Sequence, residues 1–245
     1  MPAQLLEVEG LSKRFGGFVA LDEINLAVTA GERVGLIGPN GSGKSTLVNC
    51  LCGTLVHEAG TVRFEGQDLA GQSTHQRTLL GMARSFQLPR PFASMTVGDN
   101  LKVPLLYTVN ARRKSALTEG EIGARCEELL TLVGLTDRSR HFPRDLTQVE
   151  MRKLELARAM AAEPKLLIAD EAMAGLSNSE VNDIVALLIR LNERGITVIL
   201  IEHIMRAVMS FSQRLVVLVS GKKIADGRPD EVICDAEVER AYIGQ

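Results

Sequence analysis

Long apolar runs are missing from this chain: none approaches the ~18 residues that a membrane-spanning helix requires. Any service to a membrane is therefore expected from outside the bilayer. The first residues place Glu7 and Glu9 among apolar neighbours, without the basic flank and apolar core of a secretory leader. Cysteine is scarce as well. Cys50 and Cys52 stand one residue apart, with only Cys126 and Cys234 elsewhere, which excludes a zinc framework of two close pairs and a disulfide scaffold. Buried thiols in a reducing compartment are the expected state. Net charge is almost absent, at −2, so no global basic field exists and no nucleic-acid partner is expected. The one local cluster, Arg112-Arg113-Lys114, reads as a solvated loop, with a binding patch as the alternative. Internal repeats and low-complexity tracts are also lacking. A length of 245 residues fits one α/β domain with an insertion, or two small domains.

What the chain does carry is Gly38-Pro39-Asn40-Gly41-Ser42-Gly43-Lys44-Ser45-Thr46, which meets GxxxxGK[ST] at every fixed position. It lies between an apolar run at 34–37 and a helix expected to begin near Lys44. Glycines let backbone N–H groups curl around phosphate oxygens, and the helix turns its positive dipole end toward the same charge. Lys44 is then expected between the β- and γ-phosphates of a nucleoside triphosphate, Ser45 on Mg²⁺ and Thr46 on the α-phosphate side. A glycine-rich turn without ligand is the competing reading.

Short strands are expected around Leu6 and Val8, over 21–28, 34–37 and 61–64, and at 83–86. Leu88-Pro89-Arg90-Pro91-Phe92 is a stiff connection, and the pattern beyond it is helical to Ala162, including 121–133 ending at Gly134. Residues 88–160 are read as an inserted helical subdomain and 1–87 with 161–245 as the core, all within a single domain spanning 1–245. Strands over 166–169, 197–201 and 215–219, with a helix over 179–193, complete a parallel sheet with helical crossovers. The strand 166–169 ends in Asp170-Glu171, at the sheet edge where the phosphate loop opens. Asp170 can hold the Mg²⁺ shell, and Glu171 can orient or deprotonate the attacking water.

These residues resemble the ATP-binding cassette (ABC) ATPases over nearly the whole chain. The resemblance implies an α/β P-loop core with an N-terminal antiparallel β subdomain and an inserted helical subdomain, with ATP as substrate and Mg²⁺ as its ion. It also implies that Phe15 stacks on adenine, with a core role as the alternative, and that Gln87 is the glutamine linking Mg²⁺ to a membrane partner. Ile201-Glu202-His203 is similar to the switch motif whose histidine meets the γ-phosphate.

The family signature, usually LSGGQ, is Leu146-Thr147-Gln148-Val149-Glu150 here. Thr147 keeps a hydroxyl, Val149 replaces a glycine, and Glu150 adds an anion, so a poor signature is expected. Two cassettes dock head to tail in this family. A non-identical second ATPase is therefore the expected partner, so that one competent site survives.

Arg14-Phe15-Gly16-Gly17-Phe18-Val19-Ala20-Leu21, Arg84-Ser85-Phe86-Gln87, Leu154-Glu155-Leu156-Ala157-Arg158, Ala174-Gly175-Leu176 and Arg240-Ala241-Tyr242-Ile243-Gly244 most resemble the ATP-binding subunits of branched-chain amino acid importers. That resemblance implies two transmembrane permease subunits, an indirect solute-binding protein, and a peripheral position on the cytoplasmic face of the inner or plasma membrane. The stretch 88–95 around Phe92 is either a permease-docking groove or ordinary subdomain packing. A regulatory ABC protein without transport, or an ABC ATPase of a lipid system, is the alternative function.

Overall fold

A computed structural model describes residues 4–85 and 90–243. The first two strands, β1 (Gln4–Phe15) and β2 (Phe18–Thr29), pair antiparallel around the Gly16-Gly17 turn. Each is longer than the sequence pattern indicated. Register shifts along β1 explain why its alternation is broken: they lie on both sides of Gly10, whose φ is 58°. β3 (Arg33–Ile37) leads into α1 (Lys44–Cys52), and β4 (Ala59–Phe64) and β5 (Gln67–Asp68) complete an antiparallel sheet ordered β2-β1-β4-β5.

Next come α2 (Thr74–Leu80), β6 (Met82–Ser85) and a helical stretch comprising α3 (Val97–Pro104), a π-turn at Leu105–Val109, and α4 (Asn110–Arg112). α5 (Glu119–Val133) and α6 (Gln148–Ala161) follow. The chain returns to the core with β7 (Leu166–Asp170), α7 (Asn178–Glu193), β8 (Thr197–Ile201), α8 (Met205–Phe211), β9 (Arg214–Val219) and β10 (Lys222–Gly227). Two short helices, α9 (Pro229–Val232) and α10 (Ala236–Ile243), close it. The second sheet runs β10-β9-β3-β8-β7-β6, parallel throughout except for β10 against β9.

Strands β7 and β8 are wholly buried, which explains their unbroken apolar sequences. Their residues divide by period two. Leu166, Ile168, Ile199 and Ile201 join the core facing the antiparallel sheet and α1, whereas Leu167, Ala169, Val198 and Leu200 join the core shared with the helices. That second core runs from α3, α5 and α6 through to α7, so the helical stretch shares one apolar cluster with the sheet. Arg214 fastens the two sheets at their base. It donates to the Ala27 carbonyl at 2.9 Å and to Glu32 at 3.0 Å, and pairs with Asp226 at 2.6 Å.

Two sequence expectations change. Arg112 is not a solvated loop residue: its guanidinium donates to the carbonyls of Thr78, Ala162 and Glu163, the last two just past the end of α6, where orphan carbonyls need donors. Arg113 and Lys114 are exposed. The cysteines at 50, 52 and 126 are buried, and burial pushes the Cys52 thiol up to about 11, which leaves it inert.

Candidate functional site

Central strand β3 delivers the chain to the sheet edge, where the loop 38–43 reverses into α1. Gly38 has no room for a side chain: a Cβ there would lie 2.1 Å from the Leu218 carbonyl oxygen and 2.6 Å from Ser42 Oγ. A backbone bond locks the loop to the β9–β10 turn, Gly221 N–H donating to Ser42 O at 3.0 Å, and that turn is tied in its place by Asp22 N–H of β2 donating to Gly221 O at 2.8 Å. Gly43 caps α1 with φ 104°, and the cap offers no side-chain acceptor to the first-turn amides, the groups that a helix N-terminus offers to an anion. Lys44 arches over this cradle, donating to the carbonyls of Gly38 at 2.7 Å and Pro39 at 3.0 Å. Burial lowers the Lys44 pKa, while the carboxylates of Glu171 and Asp170 act in the opposite direction.

A cleft of about 210 Å³ opens here, walled by Asn40 to Thr46, Glu171, Ile201 and Ala20, with Phe15 and Phe18 at one end. Phe15 is 50% exposed, so it is not a core residue. Phe18 carries no site role in the sequence reading. It faces Phe15 directly across the hairpin and is 61% exposed; two exposed rings flanking one tight turn are the signal that could have found it.

Asp170 ends β7 with its side chain buried against Arg84. Glu171 then leaves the strand in a left-handed conformation, φ 47°, with its N–H donating to Ile201 O at 2.9 Å. This kink carries Glu171 to the cleft while Asp170 stays beneath it. Ser45 and Asp170 are hard oxygen donors from α1 and β7. They suit Mg²⁺, which takes one or two protein oxygens and completes its shell from phosphate and water. Among the described residues no group of three or more His, Cys, Asp or Glu forms an alternative metal centre.

His203 follows β8, is exposed, and is not among the residues walling the cleft. Its neighbour Glu202 is buried and accepts the Met173 N–H at 2.8 Å, tying the end of β8 to the segment after Glu171. Gln87 lies outside the described residues.

The signature residues stand apart from this cleft at the start of α6. Thr147 caps the helix, accepting the Glu150 N–H while the Glu150 carboxylate accepts the Thr147 N–H at 2.8 Å. The Glu150 anion is thereby bound, further paired with Arg138 at 2.9 Å, and held below its ordinary pKa by these contacts, the Thr147 N–H first. It is not a loose charge. Val149 also differs from expectation, because its side chain is half-buried against the chain's own apolar cluster. Thr147 and Gln148 are the exposed side chains of this turn, and Gln148 Nε2 donates to Ala174 O at 3.2 Å.

A sequence model of the ABC transporter family matches residues 21–174. The high-affinity branched-chain amino acid transport ATP-binding protein BraF of Pseudomonas aeruginosa is 37% identical over 257 residues, covering 100% of both chains. The corresponding protein LivG of Escherichia coli K12 is 36% identical over 258 residues, again covering 100% of both. A crystal structure of an ABC transporter's ATP-binding cassette in its ADP conformation superposes with a TM-score of 0.88 at 32% identity, covering 99% of each chain. A nucleotide-free cassette gives 0.87 at 31% identity, covering 99% of this chain and 100% of that one. Fold, phosphate cradle and full-length similarity agree, and the chain belongs to the ABC transporter family as an ATPase related to the branched-chain amino acid transport ATP-binding proteins.

Proposed function

We propose that this chain hydrolyses ATP to drive import of branched-chain or related amino acids, working beside a non-identical second cassette and beneath two permease subunits. Its place is the cytoplasmic face of the inner or plasma membrane, and a solute-binding protein on the far side delivers the cargo. The carrying observation is similarity to BraF and LivG over their entire lengths, with the phosphate cradle and both carboxylates present.

The loop amides of 38–43 and the α1 N-terminus bind the phosphates, and Phe15, with Phe18 beside it, receives the adenine ring. Lys44 exchanges its contacts with the Gly38 and Pro39 carbonyls for β- and γ-phosphate oxygens. Ser45, Asp170 and the expected contact Gln87 would hold Mg²⁺, which would supply charge neutralisation at those oxygens. Glu171 accepts a proton from the attacking water, and His203 meets the γ-phosphate from the end of β8. Thr147 and Gln148, with the backbone at Val149, face the partner's nucleotide. With Thr147 engaged in its cap and side chains in place of signature glycine, that second site is the weaker one. Losing one transition-state donor costs about 10²–10³ in turnover.

Co-expression with the native partners, followed by ATPase and uptake measurements on one preparation, tests this reading. Branched-chain amino acid uptake that requires ATP, with weak hydrolysis by the isolated chain, is the expected result. Vigorous turnover by an authenticated homodimer would contradict the unequal pair. Uptake that ignores these amino acids would contradict the cargo.

A further inference from the structure

Arg84, three residues before Gln87, occupies a junction in the fold. Strand β6 runs parallel to β7 with Arg84 opposite Ile168, two residues short of Asp170. The side chain spans that gap. Its Nη2 donates to Asp170 Oδ2 at 2.6 Å, and its Nη1 donates to Asn49 Oδ1 at 2.7 Å. The two charged side chains are 17% and 10% exposed, so water screens the pair little. One guanidinium therefore joins β6, the end of β7 and α1, the helix that carries Ser45.

A carboxylate at a strand end turns about two torsions, and the outer one is broad. A short charge-assisted bond to Oδ2 fixes its plane and thereby the direction of Oδ1. Only a planar fork with donors on both sides can do this while also gripping Asn49; a lysine ammonium is a single point. We infer that Arg84 is a positioning residue that sets the Mg²⁺ affinity of the nucleotide site, holding the Asp170 carboxylate at a fixed angle to α1. The inference rests on the reading that Ser45 and Asp170 serve Mg·ATP. Outer partners of metal-binding groups are worth about 10–100-fold in metal affinity, which sets the scale expected of Arg84.

The test is ATP binding by calorimetry on the purified chain, titrated across Mg²⁺ concentrations and repeated in excess EDTA. Arg84→Lys keeps the charge and loses the fork. It is expected to raise the Mg²⁺ concentration for half-maximal effect about 10-fold while leaving binding in EDTA within about 2-fold. Asp170→Asn should give the same pattern, and the double variant should be no worse than Asp170→Asn alone, because Arg84 acts through Asp170. Asn49→Ala, which releases only the second anchor, should shift the Mg²⁺ requirement by about 3-fold and covers the case in which Arg84→Lys does not fold. An unchanged or lowered Mg²⁺ requirement, an equal loss of binding in EDTA, or additive effects with Asp170→Asn would overturn the inference. A wild-type chain that binds no ATP at all would instead overturn the nucleotide reading beneath it.

Discussion

Glu171 adopts φ 47°, a backbone conformation that costs a non-glycine residue about 1 kcal/mol and separates its carboxylate from that of Asp170. Glu171→Gln should keep ATP binding and lower turnover by about 10²–10⁴-fold, measured by single-turnover hydrolysis in the assembled transporter. Loss of binding together with turnover would point to folding instead. A pH signature belongs to Glu202. Burial raises its pKa above the ordinary 4.5, against the opposing pull of the Met173 N–H and His203. The folded state therefore holds this proton more tightly than the unfolded chain, so the carboxyl costs stability as pH climbs from 4.5 through its raised folded value. Glu202→Gln keeps an acceptor for Met173 and does not titrate. Its stability advantage over the parent should grow with pH across that window and then level off, read from thermal melts between about pH 4 and pH 8. A pH-independent difference would contradict the assignment. The loop residues were legible because spacing alone specifies them. Arg84 and Glu202 were not, since their work depends on neighbours far away in the chain: Arg84 meets Asp170 86 positions on.

At the scale of elements, the signature turn and the segment after Glu171 are built against each other. Gly175 has φ 79°, and a Cβ there would lie 2.5 Å from Gln148 Nε2, so this glycine admits the exposed Gln148 side chain. Gly175→Ala should destabilise the chain by about 1–2 kcal/mol in urea melts, from the backbone strain together with the displaced amide. Adding Gln148→Gly should recover the displaced-amide part; strictly additive effects would show that the two residues do not meet. Val149→Gly should cost about 1–2 kcal/mol through lost packing and helix propensity, which must be allowed for when its turnover is read. Strands β7 and β8 and helix α5 were readable from apolar runs and spacing and from Gly134, whereas the start of α5 at Glu119, set by the Thr118 capping box, was not. The direction of Val149 was not, because the glycine it replaces in the signature carries no side chain to indicate which way one would point. The full length of β1 was hidden by its register shifts.

On the proposed function, this chain is at the scale of the whole molecule one half of a motor whose stroke reaches a permease through its helical face. Phe92, 43% exposed with the Arg158 guanidinium 5.0 Å from its ring centroid, borders an apolar groove of about 330 Å³ between α2, β6 and the α3 stretch. Phe92→Ala should lower uptake more than basal ATPase in the reconstituted transporter; equal losses would mark it as packing. The sequence could place this surface near the proline-rich connection but could not shape the groove, whose walls come from residues spread between Cys52 and Ala162. The central claim is that the cradle beginning at Gly38 grips Mg·ATP and that Glu171 assists cleavage of its terminal phosphate once a second cassette docks. The most direct measurement is ATP binding and ATP-driven uptake by the reconstituted assembly carrying Lys44→Ala or Glu171→Gln in this chain. The account predicts lost binding at this site for the first, retained binding without turnover there for the second, and uptake impaired in both; an assembly whose binding and uptake are indifferent to both changes would contradict it.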